Sequence, residues 1–213
     1  MEHKPKRRTR ERILELSLDR FNAVGESNVT ASEIAELLNI SPGNLYYHFA
    51  NKEAIVEALF DNFRHQVAEE LAIEVDGGAT LEDLWLYLHL VFELSWKYRF
   101  LYRDPVNVVS RYTGVANRMK QVIGLQARSL VSLLSGLVAA GELRVDERQL
   151  QTLVVNMMVI ATHWLSFEYV REPRKAPDSE SMASGVYHVM SLISPLLSDD
   201  AREAFEGVAL RYV

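Results

Sequence analysis

The sequence of 213 residues contains no cysteine. Disulfide bonds and thiolate metal sites are therefore excluded, and the composition fits an intracellular, cytoplasmic location. The six histidines show no His-x3-His or His-Glu-x-x-His spacing, so we expect no metal ion. No glycine-rich phosphate loop follows a strand, and nothing singles out two of the 29 acidic residues as an acid–base pair. We therefore expect neither an enzyme nor a bound cofactor.

The sequence also lacks the strict alternation of apolar and polar residues that is typical of strands. We predict an all-α fold of about nine to ten helices. Residues 150–167 have no formal charge and are long enough to be compared with a membrane span. This stretch nevertheless carries polar side chains, including Gln151, Asn156 and His163, that are costly in hydrocarbon. We interpret it as buried in protein and expect no membrane partner.

Charge is unevenly distributed along the chain, whose formal net charge is −6. Residues 1–52 hold eight basic and seven acidic residues, or +1, which leaves −7 for the remainder. Six of the basic residues lie within residues 1–12, among them Arg7, Arg8 and Arg10. A basic end on an acidic body suits a protein that touches phosphate at one end only. A solvated basic tail is the alternative that charge alone leaves open.

Two short helices with clear start signals are predicted near the N-terminus. Thr30 and Glu33 form the pattern of a capping box, which opens the first of them. Asn39 tolerates the left-handed backbone of a tight turn. Ser41 then suits the N-cap of the second helix, and Pro42 suits its first position. Two capped helices joined by a tight turn, with a basic segment and another helix before them, predict a helix-turn-helix.

The second of these helices has a composition that suits a DNA groove better than a protein core. Leu45 and Phe49, four residues apart, can hold it to the core. Its outer face then carries small and polar groups near its start, as a helix that enters the major groove requires. Gly43 lets the backbone approach DNA closely, and Asn44 has the donor and acceptor that match an adenine edge. We therefore predict that residues 41–49 read bases.

Residues 30–55, TASEIAELLNISPGNLYYHFANKEAI, resemble the DNA-binding signature of the TetR family. The Thr, Ile-Ala, Ser-x-Gly-x-Leu-Tyr-x-His-Phe and Lys-Glu elements of that signature are all in register. The resemblance extends more loosely over residues 9–65. In one departure, Asn39 stands where the family has its turn glycine, after Leu38 in place of a small residue. Both residues keep the turn feasible.

The resemblance implies roles for individual residues. Phosphate contacts are expected from Thr30, Tyr46, His48 and Lys52. Two of these keep a plainer alternative, Tyr46 as a packing side chain and His48 as a cation at the helix end. The residues expected nearest the bases are Pro42, Gly43, Asn44 and Tyr47, and the complete DNA-binding set adds Ser41, Arg7, Arg8 and Arg10.

The rest of the chain is predicted to serve a second purpose. We expect residues 1–65 to form the helix-turn-helix DNA-binding domain and residues 66–213 a helical effector-binding and dimerisation domain. Two uncharged helices, near 150–167 and 182–197, exceed what one small domain needs to cover itself. The small residues 183–185 would allow close helix approach. We expect a homodimer with a four-helix, two-fold interface, as the resemblance also implies, so that two reading helices match a palindrome.

Aromatic residues of the second domain predict either an effector pocket or plain core. A pocket with His89 or His163 as its polar handle would suit an apolar or aromatic effector. An aromatic stripe at helical spacing is also typical of a packed core. The resemblance implies small-molecule binding here, with movement of the fourth helix releasing DNA. The candidate pocket residues are Trp85, His89, Phe92, Trp96, Phe100, Tyr112, Met119, Met157, His163 and Trp164.

Three functions remain open at this point. The first is a dimeric repressor that a small-molecule effector releases from its palindromic operator, a site in double-stranded DNA. The second is a DNA-binding activator or architectural protein without ligand control, which a tight core without a cavity would favour. The third is a helical adaptor or enzyme in which the capped helix pair is incidental. Only the third predicts that no salt-dependent DNA binding occurs.

Overall fold

The computed structural model describes residues 4–75, 78–175 and 177–209, and the side chains of residues 8–75, 78–175 and 177–207. Within these ranges there is no strand, only an isolated antiparallel bridge between Leu143 and Leu197. The predicted all-α fold is confirmed, with slightly more helices than predicted. The described residues form α1 (Lys4–Val24), a 3-10 helix (Glu26–Asn28), α2 (Ala31–Leu37), α3 (Pro42–His48), α4 (Lys52–Glu70), α5 (Leu81–Lys97), α6 (Arg99–Arg103), α7 (Pro105–Arg111), α8 (Thr113–Ala139), α9 (Glu147–Arg171), α10 (Ser179–Ser191), a 3-10 helix (Ser194–Leu196) and α11 (Asp199–Ala209).

The chain divides into two compact units. The first unit comprises the described residues up to His65 together with Tyr98–Arg118. The second comprises Gln66–Lys97 together with the described residues from Met119 onward. The first unit therefore adds α6, α7 and the start of α8 to the stretch that the sequence analysis assigned to the DNA-binding domain.

The first unit has an apolar core that includes α6. Ile34 of α2 and Leu45 of α3 are fully buried. Phe21 of α1 packs on Phe100 of α6, with ring centroids 5.5 Å apart. The backbone N–H of Phe100 also donates a hydrogen bond to Asn22 Oδ1 over 3.0 Å. These contacts explain why α6 belongs to the same unit as α1.

The start signal at Thr80 and the Asp104-Pro105 pair predict one continuous helix between them, but the structure divides it into α5 and α6. It breaks after Lys97, where Tyr98 adopts φ −112° and ψ 37°, outside the helical region. The break lets the backbone N–H of Phe100 bond to Asn22 instead of to the preceding helical turn. This bond joins residues far apart in sequence, so the local pattern does not reveal it.

The sequence Asp-Gly-Gly at 76–78 predicts that the fourth helix continues to about residue 74, but α4 ends at Glu70. The backbone N–H groups of Ile73 and Val75 donate to serine hydroxyls of α8, at 3.1 Å to Ser129 Oγ and 2.9 Å to Ser132 Oγ. Because these serines satisfy the backbone donors, the chain leaves the helix without a free-energy penalty for unpaired groups.

In the second unit, α10 packs closely against two helices of the same chain. Gly185 makes this possible, because a Cβ at that position would overlap the Phe92 ring of α5 and lie 2.8 Å from Trp164 Cδ1 of α9. The small residues 183–185 were expected to allow close contact between two copies of the chain. For Gly185 the close approach occurs within one chain instead.

Two helices, α8 and α9, are long and apolar enough to cross a membrane, by length and composition alone. Within the chain, 44% of the most apolar window of α8 and 39% of that of α9 are buried. Val155, Val159 and Phe167 of α9 are exposed. The stretch 150–167 is therefore only partly buried in a single chain, because α9 has a second apolar face that its own unit does not cover.

The packing of α10 gives a direct test. We expect Gly185→Ala to lower the free energy of unfolding by about 1–3 kcal/mol, because the new methyl group overpacks the contact with Phe92 and Trp164. The matched control is Gly207→Ala in α11, where no described atom lies within 4 Å of the new Cβ. The control should be neutral or gain up to about 1 kcal/mol from helix propensity. Urea unfolding measures both, and equal losses would contradict the packing.

Candidate nucleic-acid interface

The first helix of the candidate interface starts at the predicted N-cap. Thr30 Oγ1 accepts the backbone N–H of Glu33 over 3.1 Å. The Glu33 carboxylate, however, accepts two hydrogen bonds from the Arg20 guanidinium, at 2.5 and 3.1 Å. The reciprocal half of the predicted capping box is therefore replaced by an ion pair that joins α2 to α1.

The turn between α2 and α3 has the predicted left-handed residue. Asn39 has φ 53°. Its backbone N–H donates to Glu36 O at 2.9 Å, and the N–H of Ile40 donates to Ala35 O at 3.0 Å. These two bonds and the positive φ form a Schellman motif, which ends a helix by satisfying its last carbonyl groups. An asparagine thus performs the role that glycine commonly has at such a position.

The third helix is fixed from one side and exposed on the other. Its N-cap is Ser41, whose Oγ accepts the backbone N–H of Asn44 at 3.2 Å. Leu45 and Phe49 are buried, at 0% and 4% exposure. A Cβ at Gly43 would have ample room, with Ser41 Oγ 4.0 Å away. The exposed outer surface is formed by Ser41, Pro42, Gly43, Asn44, Tyr46 and Tyr47, with His48 half-buried beside it.

The basic residues before the helix pair are described in part. The guanidinium of Arg10 lies over the Phe49 ring, 4.9 Å from its centroid, while its side chain remains exposed. This cation–π contact places a positive charge beside the end of α3. Arg8 is exposed on α1, and the Arg7 side chain lies outside the described residues.

Lys52 does not have the environment that its predicted phosphate contact requires. Its Nζ donates to the backbone oxygens of Glu26 and Val29, each at 2.9 Å, and forms an ion pair with Glu26 Oε1 at 2.6 Å. An ammonium group has three donors, so these internal partners use its full capacity. We therefore correct the interpretation of Lys52 from a phosphate contact to an internal contact.

Glu26 is a buried carboxylate that the sequence analysis did not single out, with 5% of its surface exposed. The Tyr112 hydroxyl donates to its Oε1, and Arg111 Nη1 lies 3.9 Å from its Oε2. Burial and the hydrogen bond to Glu26 raise the pKa of Tyr112. With Lys52, the carboxylate thus joins the start of α4 and the end of α7 to the segment between α1 and α2. The sequence signal for it is weak, an acidic residue directly after Gly25.

The residues predicted to form an effector pocket are distributed over several environments. Phe100 and Tyr112 contribute to the core of the first unit, as described above, and His163 is exposed on α9. The plain-core alternative therefore applies to Phe100 and Tyr112. Within the second unit, Phe92 and Trp164 meet at Gly185, and the rings of Trp85 and His89 are in tilted contact with centroids 3.8 Å apart. Met119 and Met157 are buried, and Trp96 is half-buried.

The second unit contains a cavity of about 450 Å³. Of the predicted pocket residues, Trp85 lines it. Its other walls come from the start of α5 and from α10 and α11, helices whose packing the aromatic pattern does not predict. The described residues include no group of three or more His, Asp or Glu positioned to hold a metal ion. The residues that shape the cavity are Leu81, Glu82, Trp85, Leu86, Met190 and Phe205.

A capped helix pair, a left-handed turn and an exposed second helix on an all-α body define the class of helix-turn-helix proteins. Two family models match the chain within that class. One, described as bacterial regulatory proteins of the tetR family, matches residues 13–59. The other, described as a bacterial transcriptional repressor, matches residues 62–205, more than half of the chain. The chain belongs to the TetR family of transcriptional regulators, which confirms the resemblance.

Individual relatives agree with this assignment. A TetR-family transcriptional regulator from Marinobacter aquaeolei VT8, known from a crystal structure, has 31% sequence identity to this chain and a TM-score of 0.87. The match covers 96% of this chain and 98% of that protein. The regulator TtgR of Pseudomonas putida is 36% identical over 86 residues, 40% of each chain. The repressor KstR2 of Mycobacterium tuberculosis is 27% identical over 166 residues, 75% of this chain and 80% of KstR2. The chain thus spans less than half of TtgR. All three are transcriptional regulators, in agreement with the prediction of a regulator rather than an enzyme.

The internal position of Lys52 leads to a test. Lys52→Met leaves the buried Glu26 carboxylate without its ammonium partner, so we expect the free energy of unfolding to fall by about 3 kcal/mol. The slope of DNA affinity against salt should stay unchanged, because no phosphate contact is lost. Urea unfolding and DNA titrations at several salt concentrations measure these quantities.

The companion variant Glu26→Gln/Lys52→Met removes both charges and should recover a large part of the lost stability. If Lys52→Met instead left stability unchanged and flattened the salt slope, Lys52 would be a phosphate contact after all.

Proposed function

We propose that this chain is a sequence-specific DNA-binding repressor of the cytoplasm, which acts as a homodimer on a palindromic operator and is released by a small-molecule effector. The proposal rests on α3, which is held to the core by one face and exposed on the other. Its inner side chains, Leu45 and Phe49, are buried, and its outer surface is exposed. A bound repressor would block transcription by occupying the operator.

The outer surface of α3 has the chemistry for base recognition. Asn44 is exposed in the first turn, where a recognition helix contacts base edges. Its side-chain amide can donate and accept a hydrogen bond at one adenine. Gly43 has no side chain to keep the backbone away from DNA. Pro42 and Tyr47 offer apolar surface of the kind that contacts a thymine methyl group.

The surroundings of α3 suit contacts to phosphate. Thr30 and Ser41 are exposed at the N-caps of α2 and α3, and Tyr46 is 48% exposed. His48 adds a half-buried imidazole at the end of α3. Arg10 places a positive charge over Phe49 at the end of α3, and Arg8 is exposed on the same helix as Arg10. Such contacts set register and orientation on the duplex, whereas α3 supplies sequence preference.

Dimerisation is supported by the uncovered face of α9. Val155, Val159, Phe167 and Val170 are exposed there, at spacings that place them on one side of the helix. Residues 149–167, which include three of these four, carry no charge, so burying that part of the face desolvates no ion. A second copy of the chain is the natural partner, because two-fold contacts join identical patches. A specific interface needs about 800 Å² from each partner.

Two copies are also what DNA recognition requires. A helix of seven residues reads few base pairs, so its affinity and sequence preference alone are small. Two reading helices about 34–36 Å apart enter successive major grooves on one side of the duplex. The operator should accordingly be palindromic.

Effector control is supported by the cavity in the second unit. Its volume of about 450 Å³ lies within the range of small-molecule sites. A packed second unit would have favoured a regulator without ligand control. Release of DNA requires only that the effector binds the two dimer shapes with different affinity, with a coupling of about 1–3 kcal/mol.

The base-reading role of Asn44 is tested with an operator obtained by selecting bound genomic fragments with the purified protein. Asn44→Ala should lose about 1–3 kcal/mol of discrimination at one or two base pairs of each half-site. Stability should change by less than about 0.5 kcal/mol, because the side chain is exposed. Titrations against operators with single base-pair changes measure the effect.

The control is Asn107→Ala on α7, which has the same local structure. Asn107 is also exposed, and its backbone N–H donates to the N-cap side chain of a short helix that begins with proline, at 3.1 Å to Asp104 Oδ1. Operator preference should not change in this variant. A similar loss in both variants would argue against base reading by α3.

The proposed dimer is tested on α9. Val159→Glu places a charge in the middle of the uncovered face, and we expect a dimer at micromolar concentration to become a monomer in sedimentation equilibrium. Affinity for the palindrome should fall at least tenfold, while a single half-site is bound as before. Val106→Glu on α7, at a valine of similar exposure, is the control and should remain dimeric. Dissociation of both variants, or of neither, contradicts the assignment of α9.

A further inference from the structure

A second cavity adjoins the one described above. It has a volume of about 680 Å³, and both cavities are lined by Leu81, Glu82 and Ala204. The two cavities therefore lie next to each other, on either side of these shared residues, between the start of α5 and α11. We call them together the α5–α11 cleft. All its lining residues belong to the second unit.

One part of the α5–α11 cleft is apolar and shaped by aromatic rings. Phe205 and Met190 line it and are largely buried. Trp85 lines it as well. Its position is supported by His89, whose ring contacts the indole at a tilt of 39° and whose Nδ1 lies 2.9 Å from Trp85 O. Leu86 at the rim is 55% exposed. Such a wall favours a flat or extended apolar group.

The other part of the cleft is acidic. Glu82, Glu142 and Asp200 line it, and in the described part of the chain none of these three carboxylates pairs with a lysine or arginine. Glu82 and Asp200 lie in the first turns of α5 and α11, where the helix dipoles already favour a negative charge. Glu142 lies between α8 and α9, outside any helix, so no helix dipole favours its charge. Together the three groups place carboxylates beside the apolar wall.

Hydrogen bonds hold the start of α11, one side of the cleft, in place. The chain before α11 is joined to the segment between α8 and α9 by two backbone hydrogen bonds of 2.8 Å, from Arg144 N to Leu196 O and from Ser198 N to Glu142 O. Ser198 Oγ also accepts the N–H of Ala201 at the start of α11. Because α11 is fixed in this way, little ordering entropy is lost when a ligand enters.

We propose that the α5–α11 cleft binds an amphiphilic organic cation. Its apolar or aromatic body lies against Trp85, Met190 and Phe205, and its ammonium group faces Glu82 and the neighbouring carboxylates. A charge-assisted hydrogen bond to a carboxylate is stronger than a neutral one. An anion of the same shape meets like charge and is excluded. This binding does not depend on the proposed function, whereas its use for releasing DNA does.

Three matched probes test the charge preference on the full-length protein, by calorimetry at pH 7 in the absence of DNA. They are 4-phenylbenzylamine, 4-phenylbenzyl alcohol and 4-phenylbenzoic acid, which share one apolar body and differ in charge. We expect the amine to bind about tenfold more tightly than the alcohol, and the acid to bind most weakly.

Two variants assign the binding to the cleft. Glu82→Gln should reduce the preference for the amine over the alcohol to less than about threefold, while affinity for the alcohol is kept. Ala204→Trp places an indole where both cavities meet and should abolish binding of all three probes. Glu203→Gln, at an exposed neighbouring position of α11, is the charge control and should bind as the unmodified chain does. Urea unfolding establishes that each variant is folded.

The proposal is overturned if no probe binds, if the acid binds as tightly as the amine, or if both cleft variants keep the binding of the unmodified protein. Operator titrations with saturating amine then test the separate effector step. Binding without release of DNA would contradict effector control through this cleft and leave the cleft as a binding site.

Discussion

The first unit depends on one buried negative charge. A carboxylate removed from water is costly unless donors and cations surround it, and Glu26 obtains its partners from two distant parts of the chain, Lys52 and Tyr112. The segment before α2, the start of α4 and the end of α7 must therefore come together for the charge to be tolerated. This requirement also explains why Lys52 points inward, although its position in the signature implies a contact to DNA.

Helix α3 is stabilised by its surroundings rather than by its own length. Seven residues, including a proline and a glycine, would not form a helix alone. A Schellman motif ends α2, the Ser41 hydroxyl caps α3, and Leu45 and Phe49 attach it to the core. Because one side supplies all this stabilisation, the other side is available for the proposed contact with bases. The proposed function of α3 thus depends on its stability coming from its buried side.

Which features could be predicted from the sequence depends on how far apart in the chain the interacting residues lie. N-caps, the left-handed turn and the buried pair on α3 depend on residues within about five positions, and they could be predicted. The contact from Lys52 to Glu26 spans 26 positions and that from Tyr112 to Glu26 spans 86, so no local pattern reveals them. The cavity is similar, since its walls come from helices whose relative packing is set by contacts such as Gly185 against Phe92. The family signature located α3 but not the cavity.

Effector control, as proposed, requires a ligand to influence groups that lie outside its own unit. One helix leads along the chain from the α5–α11 cleft to the first unit. Helix α5 begins at the cleft and ends at Lys97, and the chain enters the first unit at Tyr98. Two residues farther on, Phe100 is bonded to Asn22 of α1, and Tyr112 reaches the Glu26 carboxylate. A change in the position of α5 would therefore act first on buried polar contacts, whose loss is costly. Since such contacts are either made or broken, they favour a change between two discrete conformations over a gradual one.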